Sequence, residues 1–354
     1  MTRCISFKYL LLLLSASLAA GLGLSAISGR VDMTHTEILD LAVKLSSGTG
    51  QIISSFLQGD SPVLWQELTA KESVFLWIRM PRCIMAVLVG AGLAVSGAVY
   101  QALFRNPLVS PDILGVSAGC TFGAALGLML PIDNFGTVHL LSFSFGIIAV
   151  LLSAGLAKAI AVKPVIVLVL AGMVVLSFFN ALLMVIKYFA DPYNQLPGII
   201  FWVMGSLTRV TWGNTLFMAP FALAGLFTFI ILSYRLNILS LGDIQARSLG
   251  LNPVLFRRLL ITMSSFMVAV SVSTCGQIAW IGLIIPHMAR TLAGPAHERM
   301  LPVTALLGAL FLLLTDTAAR SLFTSEIPVG IITALTGAPV FAFLLYKNRG
   351  TGWM

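Results

Sequence analysis

Apolar runs long enough to cross a bilayer recur along the whole chain. They cover Tyr9–Ile27, Cys83–Phe104, Ile113–Ile132, Val138–Ala157, Val165–Ile186, Thr215–Ser233, Leu259–Ile281, Leu301–Ala319 and Pro328–Tyr346. About 20 apolar residues in a helix span the hydrocarbon layer. Lipid offers no partner for a backbone polar group, so such runs must be helical or closed into a barrel. Runs of this length predict helices, and the chain is read as an all-α polytopic membrane protein. Composition agrees, with 58% hydrophobic and 10% charged residues over 354 positions, where a soluble domain carries about 25% charged. No mixed stretch is long enough for a separate soluble domain, so residues 1–354 form one transmembrane domain.

The start, MTRCISFKYLLLLLSASLAAGLGLSAISG, has the basic head and apolar body of a signal peptide. Because further spans follow, it is read as the first transmembrane helix, with its N-terminus inside. Hydropathy accepts nine spans. A tenth, Gly282–Ala293, is short, broken by Pro286, and contains His287 and Arg290. Parity favours about ten. With ten spans both termini are cytoplasmic, most of the 21 Lys and Arg fall inside, and most of the 13 acids fall outside or at the outer boundary. The net charge of +8 is spread between apolar runs. That is a membrane-loop pattern, and it predicts the lipid bilayer as partner and no nucleic acid. Cys4, Cys83, Cys120 and Cys275 are far apart, so neither disulfides nor a metal site is expected.

Gly97, Pro107 and Gly115 have the same spacing as Gly276, Pro286 and Gly294. The ten-span topology places the two sets on opposite sides, as an inverted repeat of transmembrane helices 2–5 and 7–10 would. Gly115, Gly119, Gly123 and Gly127 recur every four residues, which makes a smooth helix face for close packing against another backbone.

Motifs for chemistry are absent. There is no P-loop, no H-E-x-x-H and no serine-protease signature. The chain is not expected to be an enzyme, and no cofactor or metal site is expected in it. Within the spans the polar side chains singled out are Gln101, Asn180, Gln277 and Asp316. A proton- or sodium-coupled transporter needs buried carboxylates. Asp316 is the one candidate, and Arg320, four residues on, is its expected neutralising partner.

Two segments do not span. Residues 28–77 form a long outer loop with helical periodicity near Glu37–Leu45. Residues 234–258, YRLNILSLGDIQARSLGLNPVLFRR, form an inner loop of another kind. Ser240 to Asp243 reads as a capping box, Asp243 and Arg247 as i,i+4 partners, Gly250 as a helix end and Asn252-Pro253 as a fresh helix start. One or two short helices on the inner surface follow. Their apolar Ile244, Leu249 and Leu251 need cover, from the chain's own inner face, from lipid or from a soluble motor subunit.

In order along the chain stand WIRMPR, LVGAGLAVSGAVYQALFRNPLVSPDILGVSAG, LSLGDIQARSLGLN, GLIIPHMAR and EIPVGIITALTGAPVFAFLL. From Trp77 to Tyr346 the chain closely resembles FecCD-type permease subunits of ABC importers for iron–siderophore, haem and cobalamin. The resemblance implies a ten-helix subunit in the bacterial inner membrane that pairs with a second copy, as a homodimer, or with a close relative. Two cytosolic ATPases, carrying ATP and Mg, dock below, and a periplasmic substrate-binding protein docks above. It implies an alternating-access pathway lined by helices 5 and 10. Iron–siderophore is the leading cargo, with haem, cobalamin or a metal oxyanion as alternatives and an ion-coupled secondary transporter as a competing class. Leu241, Gly242, Asp243, Ala246, Arg247, Leu249 and Gly250 match the family's ATPase coupling loop. Arg79, Arg82 and Arg320 stand where relatives hold arginines that dock the binding protein's glutamates, a task suited to a permanently charged, two-pronged donor. The chain departs from the family in Met80 of its Arg-Met-Pro-Arg, in Gln277 and Trp280, and in the length of residues 28–77.

Overall fold

The computed structural model describes residues 6–29, 31, 33–47, 68–131, 135–160, 164–322 and 325–347. Among these there is no strand. The helices are α1 Phe7–Ile27, α2 His35–Ser47, α3 Ala70–Val74, α4 Met80–Phe104, α5 Val116–Met129, α6 Phe135–Ile160, α7 Pro164–Phe189, α8 Gln195–Val203, α9 Trp212–Ile231, α10 Ser233–Ser240, α11 Asp243–Ser248, α12 Pro253–Cys275, α13 Ile281–Ala293, α14 His297–Ser321 and α15 Val329–Lys347. A wide π turn over Phe75–Arg79 joins α3 to α4, and a 3₁₀ turn over Pro111–Leu114 leads into α5.

Among the described residues seven helices are long and apolar enough to cross a membrane, and α5, α13 and α15 are shorter apolar helices. Together they make the ten of the sequence reading. α2 carries the helical periodicity expected near Glu37–Leu45, while residues 48–67 of the long loop lie outside the described residues. α8 was not expected. Its Ile199 is buried beside Ala125 of α5 and Leu183 of α7.

Helix lengths repeat. α4 to α7 have 25, 14, 26 and 26 residues, and α12 to α15 have 23, 13, 25 and 19. The long–short–long order of the first three is common to both halves, but the glycine–proline echo does not mark equivalent places. Gly97 lies inside α4, whereas Gly276 follows the end of α12. Pro107 lies in a turn and Pro286 inside α13. Gly115 leads into α5, whereas Gly294 ends α13.

α4 runs through the centre of the bundle and is buried along nearly all its length. Small residues let its neighbours approach. A Cβ on Gly90 would run into the Gly308 carbonyl of α14, and one on Gly97 into the backbone of Gly282 at the start of α13. Pro286 has no N–H for the carbonyl four residues back. Gln101 satisfies a neighbouring carbonyl, donating from Nε2 to Leu283 O at 3.1 Å, and accepts from Arg290 Nη2 at 3.3 Å. That is the role of one polar residue singled out in the spans. Asn180 is exposed on α7, and Gln277 lies between α12 and α13.

Gly119, Gly123 and Gly127 pack α5 onto α6. Added Cβ atoms would meet Phe145 O, Leu141 O and Val138 Cα respectively. Gly115 belongs to the turn and not to this face, since its φ is +77° and it lies against α7 at Leu176. Cys83, Cys120 and Cys275 are buried and free.

Gly123→Val forces atoms into the α6 backbone and should destabilise by ~1–3 kcal/mol, as overpacking does. Gly155 of α6 has open space around its Cα, so Gly155→Ala should leave stability unchanged or raise it by up to ~1 kcal/mol. Thermal unfolding of the two variants in the same detergent checks the contrast.

Candidate functional site

Charged side chains gather at two opposite ends of the bundle. At one end the first turn of α4, the last turn of α14 and the C-terminus of α1 converge. Asp316 has no exposure, and a carboxylate so placed needs a counter-charge. It is supplied from α4, where Arg82 donates from Nε to Oδ1 and Oδ2 at 2.9 and 3.0 Å and from Nη2 to Oδ1 at 2.8 Å. Arg320, the expected i,i+4 partner, is secondary at 3.6 Å. Arg82 Nη1 also reaches Glu326 at 2.9 Å, and Glu326 accepts from Thr208 Oγ1 at 3.2 Å. This one guanidinium thereby ties α4 to α14, to the segment leading into α15, and to the turn before α9.

The other two arginines close the end of α1. The last carbonyls of a helix lack intrahelical donors and carry the negative end of its dipole. Arg79 donates to Ala26 O at 2.8 Å, to Ile27 O at 3.1 Å, and to Val31 O. Arg320 donates to Ser28 O at 2.8 Å, to Ser25 Oγ at 2.6 Å, and to Ser25 O. Arg79, Arg82 and Arg320 are 4%, 4% and 5% exposed. All three matched docking residues therefore sit together but inside the chain, each hydrogen-bonded to this chain's own oxygens.

At the opposite end α10, α11 and α12 fold as a clasp. Ser240 does not form the expected capping box. Its hydroxyl donates back to Asn237 O at 2.6 Å, and Gly242, at φ +127°, is the residue before α11. Asp243 does not pair with Arg247. It accepts from Arg257 of α12 at 2.8 Å and from Arg105, just past α4, at 3.2 Å. Arg105 also donates to Leu239 O at 3.2 Å. These partners, far off in sequence, were missed because local spacing offered Arg247 instead. The Arg257 hydrogen bond, with the Arg257 and Arg105 charges, outweighs burial and holds the Asp243 carboxyl below its ordinary range.

The Gly250 and Asn252 readings hold. Leu251 N–H bonds Ala246 O at 2.9 Å and Gly250 N–H bonds Arg247 O at 3.0 Å, with Gly250 at φ +78°. That is a Schellman helix end. Asn252 Oδ1 accepts from Val254 and Leu255 N–H, and Pro253 opens α12. Ala246 is the buried residue of α11, and Leu251 packs on the main core. Leu241, Ile244 and Leu249 are 61%, 82% and 59% exposed, and Arg247 is exposed beside them. The result is a short helix tied down on one side with apolar side chains on the other. Between the two ends, α7 exposes Met173, Val174 and Phe178, and α15 exposes Leu335, Val340 and Phe343.

The sequence profile of the FecCD transport family matches residues 38–347. The chain is 39% identical over 325 residues, 90% of its length and 95% of the relative's, to the molybdate import system permease protein MolB of Haemophilus influenzae. It is 40% identical over 285 residues, 80% of this chain and 86% of the relative, to the "Probable iron chelatin transport system permease protein" of Helicobacter pylori. It is 38% identical over 293 residues, 80% of this chain and 86% of the relative, to the vitamin B12 import system permease protein BtuC of Klebsiella pneumoniae. A solved structure described as "An inward-facing conformation of a putative metal-chelate type ABC transporter" superposes with a TM-score of 0.82 at 36% identity, covering 96% of this chain and 99% of that one.

Arg82→Met strands Asp316 and should destabilise by ~3–5 kcal/mol, whereas removing both charges as Arg82→Met with Asp316→Leu should recover much of the loss. Thermal unfolding of the single and double variants measures this. For Asp243, a folded pKa held below the usual value of about 3.9 gives stabilisation that is complete above that value and lost as pH falls through the lower one. Hydrogen-exchange protection of the α11 amides, relative to α12, should stay flat from about pH 8 to about pH 5. Asp243→Asn should lower it equally across that range.

Proposed function

The chain belongs to the FecCD transport family, and on that premise we propose that this ABC permease is the membrane-spanning subunit of a bacterial importer for an iron chelate. The observation that carries the proposal is α11, clamped through Asp243 and uncovered on its apolar side. A small, fixed, apolar projection suits the groove of a soluble motor. Leu241, Ile244 and Leu249 seat in a cytosolic ATPase that holds ATP and Mg. Closure of the ATPase pair on ATP pulls α11, and Asp243 passes the displacement to α4 through Arg105 and to α12 through Arg257. The bundle then alternates between openings on its two sides. The chain itself makes and breaks no covalent bond.

The α11 end is cytoplasmic in this reading, with both termini on that side of the inner membrane. A second copy of the chain covers the apolar faces of α7 and α15, and the cargo passes between the copies. A periplasmic binding protein delivers it at the Arg82 end. Docking through Arg79, Arg82 and Arg320 requires Ser28, Val31 and Glu326 to give way first, because a buried guanidinium with engaged donors offers nothing to an arriving carboxylate.

A second cargo, molybdate or a related metal oxyanion, is favoured by one observation. Identity to the molybdate permease runs over 325 residues, against 285 for the iron chelatin relative. Reconstitution with the ATPase and binding protein, followed by uptake of radiolabelled iron chelates and molybdate in parallel, separates the two. Uptake that survives an inactive ATPase but collapses with an ionophore would overturn the importer reading.

Ile244→Asp together with Leu249→Asp should reduce co-purification of the ATPase at least about tenfold, because a carboxylate in an apolar seat loses its water without gaining a partner. Detergent-extracted yield should be unchanged, since both positions are exposed.

A further inference from the structure

The two short helices α5 and α13 begin beside one another. A small cavity between their first turns is lined by Asp112 and Ser117 on one side and by Trp280 and Gly282 on the other. The Pro111 ring lies so close to Gly282 that a Cβ there would be 2.6 Å away. The residue leading into each helix has a positive φ. Gly115 has φ +77° and ψ +13°, and Trp280 has φ +72° and ψ −31°. Glycine reaches this left-handed region freely, but a bulky aromatic residue there is an outlier that its surroundings must hold.

The surroundings are known. The Trp280 ring lies 6.2 Å from that of Phe341 on α15, tilted by 58°. A Cβ on Gly337, one turn earlier in α15, would lie 2.8 Å from Trp280 Cβ. Trp280 O accepts from Leu283 and Ile284 N–H at 3.0 and 2.9 Å and so starts α13. The segment before it is pinned as well. Ser206 N–H bonds Cys275 O at 2.8 Å, and the Gln277 carbonyl lies against Gly205 and Gly330. Both the start and the middle of α15 therefore rest on residues 275–280.

We propose that Trp280 is the positioning residue for α15: its seat on Gly337 and Phe341 holds the left-handed lead-in of α13, so that residues 276–280 and α15 form one unit. Take the seat away and Trp280 relaxes to a right-handed backbone, residues 276–280 reshape, and α15 is released. Two discrete arrangements of one packed contact are what a gate needs. That use in transport rests on the importer reading, but the contact and its release do not.

The reporter is Gln277→Cys in a Cys4→Ser background, since Cys83, Cys120 and Cys275 are buried. The full chain is placed in lipid nanodiscs, where both faces meet a water-soluble maleimide, and the labelling rate is measured. Trp280→Gly also loses the ring, but glycine holds a positive φ without strain, so residues 276–280 have nothing to relax and should label within about twofold of the reporter alone. Trp280→Ala keeps the strain and loses the seat. Phe341→Ala removes the seat from the other side. Both should label at least about fivefold faster, a change that backbone strain of this kind supplies. Equal rates for Trp280→Ala and Trp280→Gly would mean that the ring only fills space, and would overturn the proposal. So would a Phe341→Ala rate no faster than the reporter alone, which decides the matter if Trp280→Ala does not fold. No cargo or ATPase enters the measurement, so its failure is distinct from a failure of uptake.

Discussion

α4 and α14 meet backbone to backbone at Gly90 and Gly308, and the rest of the bundle follows from that contact. Gly90 and Gly308 each leave no room for a Cβ on the other. From the crossing, Arg82 lies about two turns toward one end of α4, and Asp316 about two turns along α14 toward the same end. The bidentate bridge between them is therefore a consequence of where the backbones touch. A larger residue at the crossing would separate the helices and pull the guanidinium off a carboxylate that has no water to fall back on. Lipid supplies no hydrophobic drive for helix association, so close backbone approach has to do that work. The same device recurs where Gly97 meets Gly282 and where α5 lies on α6.

Much of this was legible in the residues. Spanning helices follow from apolar length, and the short α13 follows from parity and charge bias. The Gly119–Gly127 face and the Gly250 and Asn252–Pro253 signals are local, and local physics decides them. Asp243 had a plausible partner within a turn and distant contacts prevailed. Asp316 keeps its expected partner Arg320 but only as the weaker one, and Ser240 turns back to the Asn237 carbonyl instead of forward to Asp243. Asp243 chose Arg257 and Arg105, the latter 138 residues away, and Asp316 chose Arg82, 234 residues away. Short spacing identifies what can pair, but only the packed bundle decides what does. The repeat shows the same limit, since matched glycines and prolines fell on unlike places while helix lengths carried the correspondence.

Both ends of the bundle use arginine, but differently. At the Asp243 end, two arginines hold one carboxylate that remains partly open to water, so the clasp is firm and its outer side is free for a partner. At the Arg82 end, three arginines are turned inward onto carboxylates and helix-end carbonyls. The first arrangement presents a surface and the second withholds one. An importer that meets its motor permanently and its delivery protein transiently would gain from that difference.

The capping of α1 by Arg79 and Arg320 also bears on the order in which the protein is made. α1 leaves the ribosome before α4, so carbonyl acceptors for Arg79 already exist when that residue arrives. Arg82 has no such host, because Asp316 is synthesised 234 residues later. Until α14 inserts, α4 carries an uncompensated cation at its leading turn, and the carbonyls awaiting Arg320 are also open. The central helix thus enters the membrane early but becomes electrically neutral late. Neutralisation of the central helix therefore waits for the insertion of α14.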